Sequence, residues 1–178
     1  RGNIAEDLFY LKKYNEAEKE LLEVYPLAKE KKLNRIASGM ALSLGKLYYE
    51  TKQTDKAINH FTYAAEYANS SGEKDKAIEA LTFLGKINND RGETEKAENN
   101  FRRAVTLVTE YKIAGRWEPY YELGLLQYTQ NKFDSSILYF KKAVELLDKN
   151  SENLYGGEEA RKIFNNDPRK SDLYNKIT

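Results

Sequence analysis

The chain has 178 residues with a formal net charge of +1; 40% are hydrophobic and 32% are charged. Interleaved charges of both signs give no broad basic surface, and no apolar run approaches the roughly 18 residues of a membrane-spanning helix, so nucleic-acid binding and membrane insertion are disfavoured. The absence of cysteine excludes disulfides, thiolate chemistry and cysteine metal sites.

Amphipathic helices separated by short polar breaks are predicted from the first residue onward. We expect one helix over residues 1–12 and a second over 16–31. Pro26 lies inside the second helix, where a proline removes a backbone donor and clashes with the preceding turn. We therefore expect a kink or an early end near Val24 and Tyr25.

The second predicted hairpin has the clearest pattern. Its small and apolar residues fall at helical spacings: Ala41, Leu44, Gly45 and Tyr48 in the first helix, and Ala57, Phe61, Ala64 and Tyr67 in the second. Thr54 is the expected cap of the second helix, with Asp55 in its first turn. The break Ser70-Ser71-Gly72 ends the hairpin, and Pro119 suits the first turn of a later helix.

The same residues return along the chain at offsets of 40 and 39 residues. Leu44-Gly45 recurs as Leu84-Gly85 and Leu123-Gly124, and Phe61 recurs as Phe101 and Phe140. Glycine is roughly 1 kcal/mol worse than alanine inside a helix, so we predict a packing reason for it, with the phenylalanine as the bulky partner. A fixed period is the signature of a solenoid, in which each unit buries its apolar face on its neighbours.

A small residue in the first helix, a tyrosine three positions later and A-x3-F-x2-A in the second helix resemble the tetratricopeptide repeat (TPR) family. The period of about 40 residues, longer than the usual 34 or so, is similar to a subclass with lengthened helices. Asn88 and Gln127 depart from the pattern where the tyrosine is expected. The resemblance implies an all-α, right-handed superhelical solenoid. It covers four repeats, at about residues 1–32, 33–72, 73–112 and 113–149.

Residues 150–178 fall outside the repeat register. We predict a C-terminal helical extension or the start of a further repeat. Ser151–Asn153 and Gly156-Gly157 are expected in a loop, followed by a helix at 158–164 and a restart at Asp167-Pro168.

No residue pattern indicates catalysis. His60 is the only histidine, so no histidine pair can bind a metal, and we expect a surface or packing role for it. Ser135 and Ser136 are explained by capping and packing. Gly156-Gly157 lacks the context of a phosphate loop. We expect no enzyme activity, no cofactor and no metal.

The resemblance implies that ligands lie across a concave groove lined by the first helices. Lys46 and Lys86 occupy the same repeat position, so they need an acid or an anionic partner between them. We therefore predict an acidic or C-terminal-carboxylate peptide as ligand. In the alternative, Glu50 and Asp90 neutralise the lysines. Carried over by register, the predicted groove residues are Phe9, Leu42, Lys46, Tyr49, Thr82, Lys86, Asn89, Tyr121, Leu125 and Tyr128.

The predicted function is non-catalytic protein or peptide binding. The resemblance to the long-period subclass implies the sensor or scaffold region of a larger regulatory protein, and a cytoplasmic location is favoured. Arg1 at the first position suggests a fragment of something longer. The carboxylate clamp of chaperone-binding repeats needs asparagine where Lys46 and Lys86 stand, which disfavours that role. The alternative is a structural spacer that forms homo-oligomers through its end helices, favoured by the apolar residues from Leu173 to Ile177.

Overall fold

Eight α-helices and no strand make up the described part of the chain. The computed structural model describes the backbone of residues 2–154 and the side chains of residues 4–147. The predicted helix at 158–164 and the restart at Asp167 lie outside these residues. The helices are α1 (Gly2–Tyr10), α2 (Tyr14–Glu30), α3 (Asn34–Glu50), α4 (Thr54–Ser71), α5 (Lys74–Asp90), α6 (Thr94–Glu110), α7 (Glu118–Thr129) and α8 (Phe133–Leu154).

The chain divides into two compact units, residues 1–87 and 88–178. In the first unit, α1 packs against α2 and α3, while α2 and α4 both pack against α3. In the second unit, α7 packs against both α6 and α8. The predicted all-α fold of repeated helical hairpins is confirmed, while the repeat boundaries stay a prediction.

A glycine in the first helix meets a phenylalanine in the second helix of two hairpins. A Cβ on Gly45 would lie 2.6 Å from Cδ1 of Phe61, and a Cβ on Gly124 would lie 2.7 Å from Cδ1 of Phe140. Both phenylalanines are fully buried. The predicted packing reason for glycine is confirmed at these two positions, because a side chain there would displace a ring from the core.

Each helix from α1 to α7 ends in the same backbone motif. A residue with positive φ follows the helix within two positions, and the next N–H bonds to a carbonyl five residues back, as Leu33 does to Ala28 at 2.9 Å and Gln53 to Tyr48 at 2.8 Å. This is the Schellman arrangement. The positive-φ residues that end these helices are spaced by 20 residues except for the last: Lys12, Lys32, Lys52, Gly72, Gly92, Lys112 and Asn131. The one-residue shortening of the fourth repeat therefore lies between Lys112 and Asn131.

Of the predicted kink or early end near Val24 and Tyr25, the early end is wrong. The helix continues through Pro26 to Glu30. Pro26 is exposed, and Leu22, whose carbonyl loses its helical donor, is 43% exposed. Water can therefore bind that carbonyl, and the missing hydrogen bond does not stop the helix.

Two other local predictions are corrected. Thr54 is the first residue of α4 and not its cap; the N-cap is Gln53, which makes no side-chain capping bond. Residues 151–153 are helical and not a loop, because α8 continues to Leu154. Serine and asparagine permit a helix here, and the first strong breaker in the sequence is Gly156. Asp55 and Pro119 do lie in the first turns of α4 and α7, as expected.

Candidate functional site

A groove of about 220 Å³ opens in the first unit, lined by α1, α3 and α5 with one residue of α2. We call it the first-unit groove. The residues that α1, α3 and α5 contribute follow one another at spacings of one, three or four positions, so one face of each of these helices points into it. Its lining comprises Ala5, Glu6, Phe9 and Tyr10 of α1, Leu21 of α2, Ser43, Lys46, Leu47 and Glu50 of α3, and Glu79 and Phe83 of α5.

The charged groups of the first-unit groove are three carboxylates and one ammonium, so its net charge is negative. Lys46 forms an ion pair with Glu79, and both side chains are more than half buried, with 33% and 22% exposure. Glu6 and Glu50 are exposed and have no ion-pair partner within residues 4–147. Two carboxylates therefore remain available to a ligand.

Aromatic rings form two parts of the groove wall. Phe83 stacks on the buried Phe61, with ring centroids 4.7 Å apart and planes 4° from parallel, which fixes its orientation. Phe9 makes edge contacts to Tyr10 and Tyr14, with ring centroids 5.9 and 5.7 Å apart. Tyr10 is 73% exposed. The groove thus combines a rigid ring on α5 with accessible rings on α1.

Of the residues predicted for the first unit, Phe9 and Lys46 come together in the groove. Leu42 and Thr82 are each only 7% exposed, and the Thr82 hydroxyl donates to the Ile78 carbonyl at 2.7 Å. These two side chains lie in the packing between helices and offer little surface to a ligand.

Tyr49 and Lys86 both contact Phe83 without being part of the groove lining. The Tyr49 ring meets the edge of Phe83 at a centroid distance of 5.4 Å, and the Lys86 ammonium lies 5.7 Å from the centre of the same ring. These two predicted residues therefore touch a residue of the groove wall and do not line the groove themselves.

The predicted residues of the second unit make contacts of their own. Tyr121 lies 6.0 Å from Trp117 and 5.8 Å from Phe140 between ring centroids. Tyr128 is 54% exposed and contacts Phe133. Asn89 is exposed and Leu125 is partly buried. Their role in ligand binding stays a prediction.

Sequence reasoning missed a set of groove residues that the repeat period links in pairs. Ser43 and Phe83 are 40 positions apart, as are Tyr10 and Glu50. The predicted face used the positions immediately before, 42 with 82 and 49 with 89. The 40-residue period was thus the signal that could have found these residues, but the prediction applied it to positions on a neighbouring face of the same helices. The repeat period could not have indicated Glu79, because Glu79 comes near Lys46 only through the packing of α5 on α3.

His60 lies among tyrosine rings, which agrees with the expected packing role. Its ring centroid is 5.4 Å from that of Tyr25 and 5.3 Å from that of Tyr48, and its Nδ1 is buried with no hydrogen-bond partner among the described residues. Burial lowers the pKa of His60, and the ammonium groups of Lys29 and Lys56 lower it further, against a smaller opposing effect of Glu18. Both effects favour the neutral form of the imidazole.

Within the described part of the chain, no group of three or more histidine, cysteine, aspartate or glutamate side chains could hold a metal ion. No described helix is both long and apolar enough to cross a membrane.

Family models identify the repeats that the geometry displays. Two models of the tetratricopeptide repeat match the sequence, at residues 35–110 and at residues 118–147. The chain belongs to the tetratricopeptide repeat family. The predicted TPR resemblance is thereby confirmed, and TPR domains are protein-protein interaction modules that are generally non-catalytic. No curated protein is similar enough in sequence to count as a match.

Two solved TPR-like structures share the fold. BtubC (BKLC) from P. vanneervenii superposes with a TM-score of 0.75 at 20% identity, over 97% of this chain and 67% of that one. Aspartyl phosphate phosphatase F from Bacillus subtilis gives a TM-score of 0.77 at 21% identity, over 98% of this chain. The chain spans half of that phosphatase's length, 50%. At these identities the likeness concerns the fold.

Proposed function

We propose that this TPR chain is a non-catalytic module that binds a peptide or a protein segment in the first-unit groove. The observation that carries the proposal is the convergence of three helices on one open groove with aromatic walls and two available carboxylates, Glu6 and Glu50. Repeat proteins commonly bind partners on surfaces built from successive repeats.

The size of the groove favours a side chain of a larger ligand over a whole small molecule. Its volume of about 220 Å³ is below the range of about 300–1,000 Å³ of sites that enclose small ligands. An elongated partner can insert one or two anchoring side chains here and make its remaining contacts elsewhere.

The prediction of an acidic ligand rests on the premise that Lys46 and Lys86 need an anionic partner. Lys46 already has one in Glu79, and Lys86 lies over the ring of Phe83. The groove itself therefore gives that prediction no support.

We propose further that the module is the sensor or scaffold region of a larger regulatory protein. The repeat period of about 40 residues supports this role through the resemblance to the long-period subclass.

A second candidate function is self-association as a spacer. The exposed apolar side chains of Ile4 and Leu11, 53% and 68% accessible, favour it. Analytical ultracentrifugation of the wild-type chain and of the Ile4→Glu/Leu11→Glu variant tests this alternative. A wild-type dimer that the double substitution dissociates supports self-association. A wild-type chain that stays monomeric at high concentration contradicts it.

The test of peptide binding is a selection from a random-peptide display library on the full chain and on two tryptophan variants. Ser43→Trp fills the first-unit groove, while Ser70→Trp makes the same change on an exposed face of α4. We expect a motif that binds wild type and Ser70→Trp and fails on Ser43→Trp. Circular dichroism first establishes equal helical content. No enriched motif, or equal binding to all three proteins, would contradict the proposal.

A further inference from the structure

We infer that the first-unit groove selects a ligand segment carrying a lysine or arginine side chain next to an apolar one. This inference rests on the peptide-binding function proposed above and names the chemistry of its ligand. It reverses the charge expected from the sequence.

The excess of carboxylates over ammonium groups in the groove is the first argument. The one lysine of the lining, Lys46, is paired with Glu79, which lines the groove from α5. Glu6 on α1 and Glu50 on α3 are exposed and have no ion-pair partner within residues 4–147. A cation in the groove would be attracted by both carboxylates, because opposite charges attract more strongly where solvent is partly excluded.

An acidic ligand would meet the opposite situation. Its carboxylate would have to displace Glu79 from Lys46 and would approach Glu6 and Glu50 at the same time. Like charges brought together oppose binding and discriminate against the wrong partner. The charge pattern therefore selects for a cation as well as against an anion.

The aromatic rings beside these carboxylates are the second argument. Phe9 and Tyr10 line the groove on the same helix as Glu6, and Tyr10 is largely exposed. An ammonium or guanidinium group is attracted to the face of such a ring, and the aliphatic stem of lysine or arginine packs on it. The rigid Phe83 on α5 offers the contact for a neighbouring apolar residue.

The experiment continues from the peptide selection on the wild-type chain. We expect the enriched motif to contain lysine or arginine beside an aliphatic or aromatic residue. A synthetic peptide of that sequence is compared by calorimetry with a version in which the basic residue is glutamine. The glutamine peptide should bind on the order of tenfold more weakly, as expected for the loss of two partly exposed charge pairs.

A matched pair of protein variants assigns this loss to the groove. Glu6→Gln/Glu50→Gln removes the two carboxylates without changing side-chain size, and Glu30→Gln/Glu66→Gln changes the net charge equally at exposed positions outside the lining. The first variant should bind the basic peptide on the order of tenfold more weakly than wild type does, and the second variant less than about twofold more weakly. Added salt should reduce the affinity of wild type more than that of Glu6→Gln/Glu50→Gln.

For a third variant we expect a gain in affinity for the basic peptide. Lys46→Met removes the competing ammonium and releases Glu79 to the ligand, so the basic peptide should bind several-fold more tightly than to wild type. Damage to the fold would not produce tighter binding, so this result separates the electrostatic role from a structural one.

The outcomes distinguish the two proposals. An acidic or uncharged motif that Ser43→Trp abolishes leaves peptide binding in place and overturns the inferred ligand class. A basic motif that binds equally to both glutamine variants also overturns it. If no motif is enriched, or if Ser43→Trp binds every motif, both proposals fall.

Discussion

The ring of Phe61 occupies the space in which any residue other than glycine would place its Cβ at position 45, with only 2.6 Å between the two. Phe61 in turn stacks on Phe83, which lines the first-unit groove. The helix-packing glycine and the candidate binding surface are thus connected through two rings.

Gly45→Ala should lower the free energy of unfolding by about 2–3 kcal/mol, because the added methyl overpacks a buried contact. Gly39→Ala in the same helix is the control: its Cβ would lie 3.7 Å from Lys76, an ordinary contact. That change should stabilise by about 0.5–1 kcal/mol through helix propensity. Urea unfolding measures both, and equal effects would contradict the close approach. Phe61→Leu in the Gly45→Ala background should recover part of the loss.

Lys32→Gly should raise the free energy of unfolding by about 0.5–1 kcal/mol, because Lys32 has a φ of 52° that glycine adopts without strain. Its neighbour Lys31 has a φ of −81° and serves as the control. Lys31→Gly should be destabilising, since it only adds freedom to the unfolded chain. Thermal unfolding by circular dichroism ranks the two variants, and a Lys32→Gly protein no more stable than Lys31→Gly would argue against strain at this turn.

His60 should make the protein less stable as the pH falls through the ordinary range of histidine. Burial and the nearby Lys29 and Lys56 lower the pKa of His60 in the folded state below the ordinary value of 6.5. The unfolded chain therefore binds the proton first, so stability is fully present above about pH 6.5 and is lost as the pH drops toward the folded pKa.

His60→Phe keeps a ring among the tyrosines and removes the titration. The difference in unfolding free energy between this variant and wild type should be constant above about pH 7 and should shift in favour of the variant between pH 6.5 and 5. Urea titrations across this range measure it. A difference that does not change with pH would show that His60 has the same pKa in both states.

Ser136→Ala should lower the free energy of unfolding by about 0.5–1.5 kcal/mol. Ser136 is 1% exposed, and its hydroxyl donates to the Gly124 carbonyl at 2.9 Å, which joins α8 to α7. Alanine fits the space, since Ala57 and Ala97 occupy the same repeat position and are fully buried. Ser135→Ala, at a half-buried neighbouring position, is the control and should change stability little. A neutral Ser136→Ala would mean that the hydrogen bond contributes nothing net.

The fold could be predicted because its determinants are local and repeated. The pairing of Gly45 with Phe61 and of Gly124 with Phe140 follows from a spacing that returns along the chain, and each repetition supports the others. The end of α2 could not be placed as easily, because the effect of Pro26 depends on whether water reaches the carbonyl of Leu22.

The candidate site was predicted in part for a similar reason. Phe9 and Lys46 follow from the repeat register, but Leu42 and Ser43 are adjacent and lie about 100° apart around the helix axis. Only the packing of neighbouring helices determines which of them is covered, and it covers Leu42. The ion pair of Lys46 with Glu79 could not be predicted from the sequence, because Glu79 lies on a different helix and no helical spacing relates the two positions.

Because the helix ends share one backbone motif, a whole repeat can be removed or duplicated between two equivalent turns. Leu33 and Glu73 follow their left-handed residues, Lys32 and Gly72, in the same way, and each donates to a carbonyl five residues back, on Ala28 and Ala68, at 2.9 Å. Joining Lys32 directly to Glu73 would therefore rebuild an existing type of turn. Genetic duplication or loss of 40-residue segments can proceed at such junctions without inventing new loop geometry, and the number of repeats is free to change while every turn stays the same.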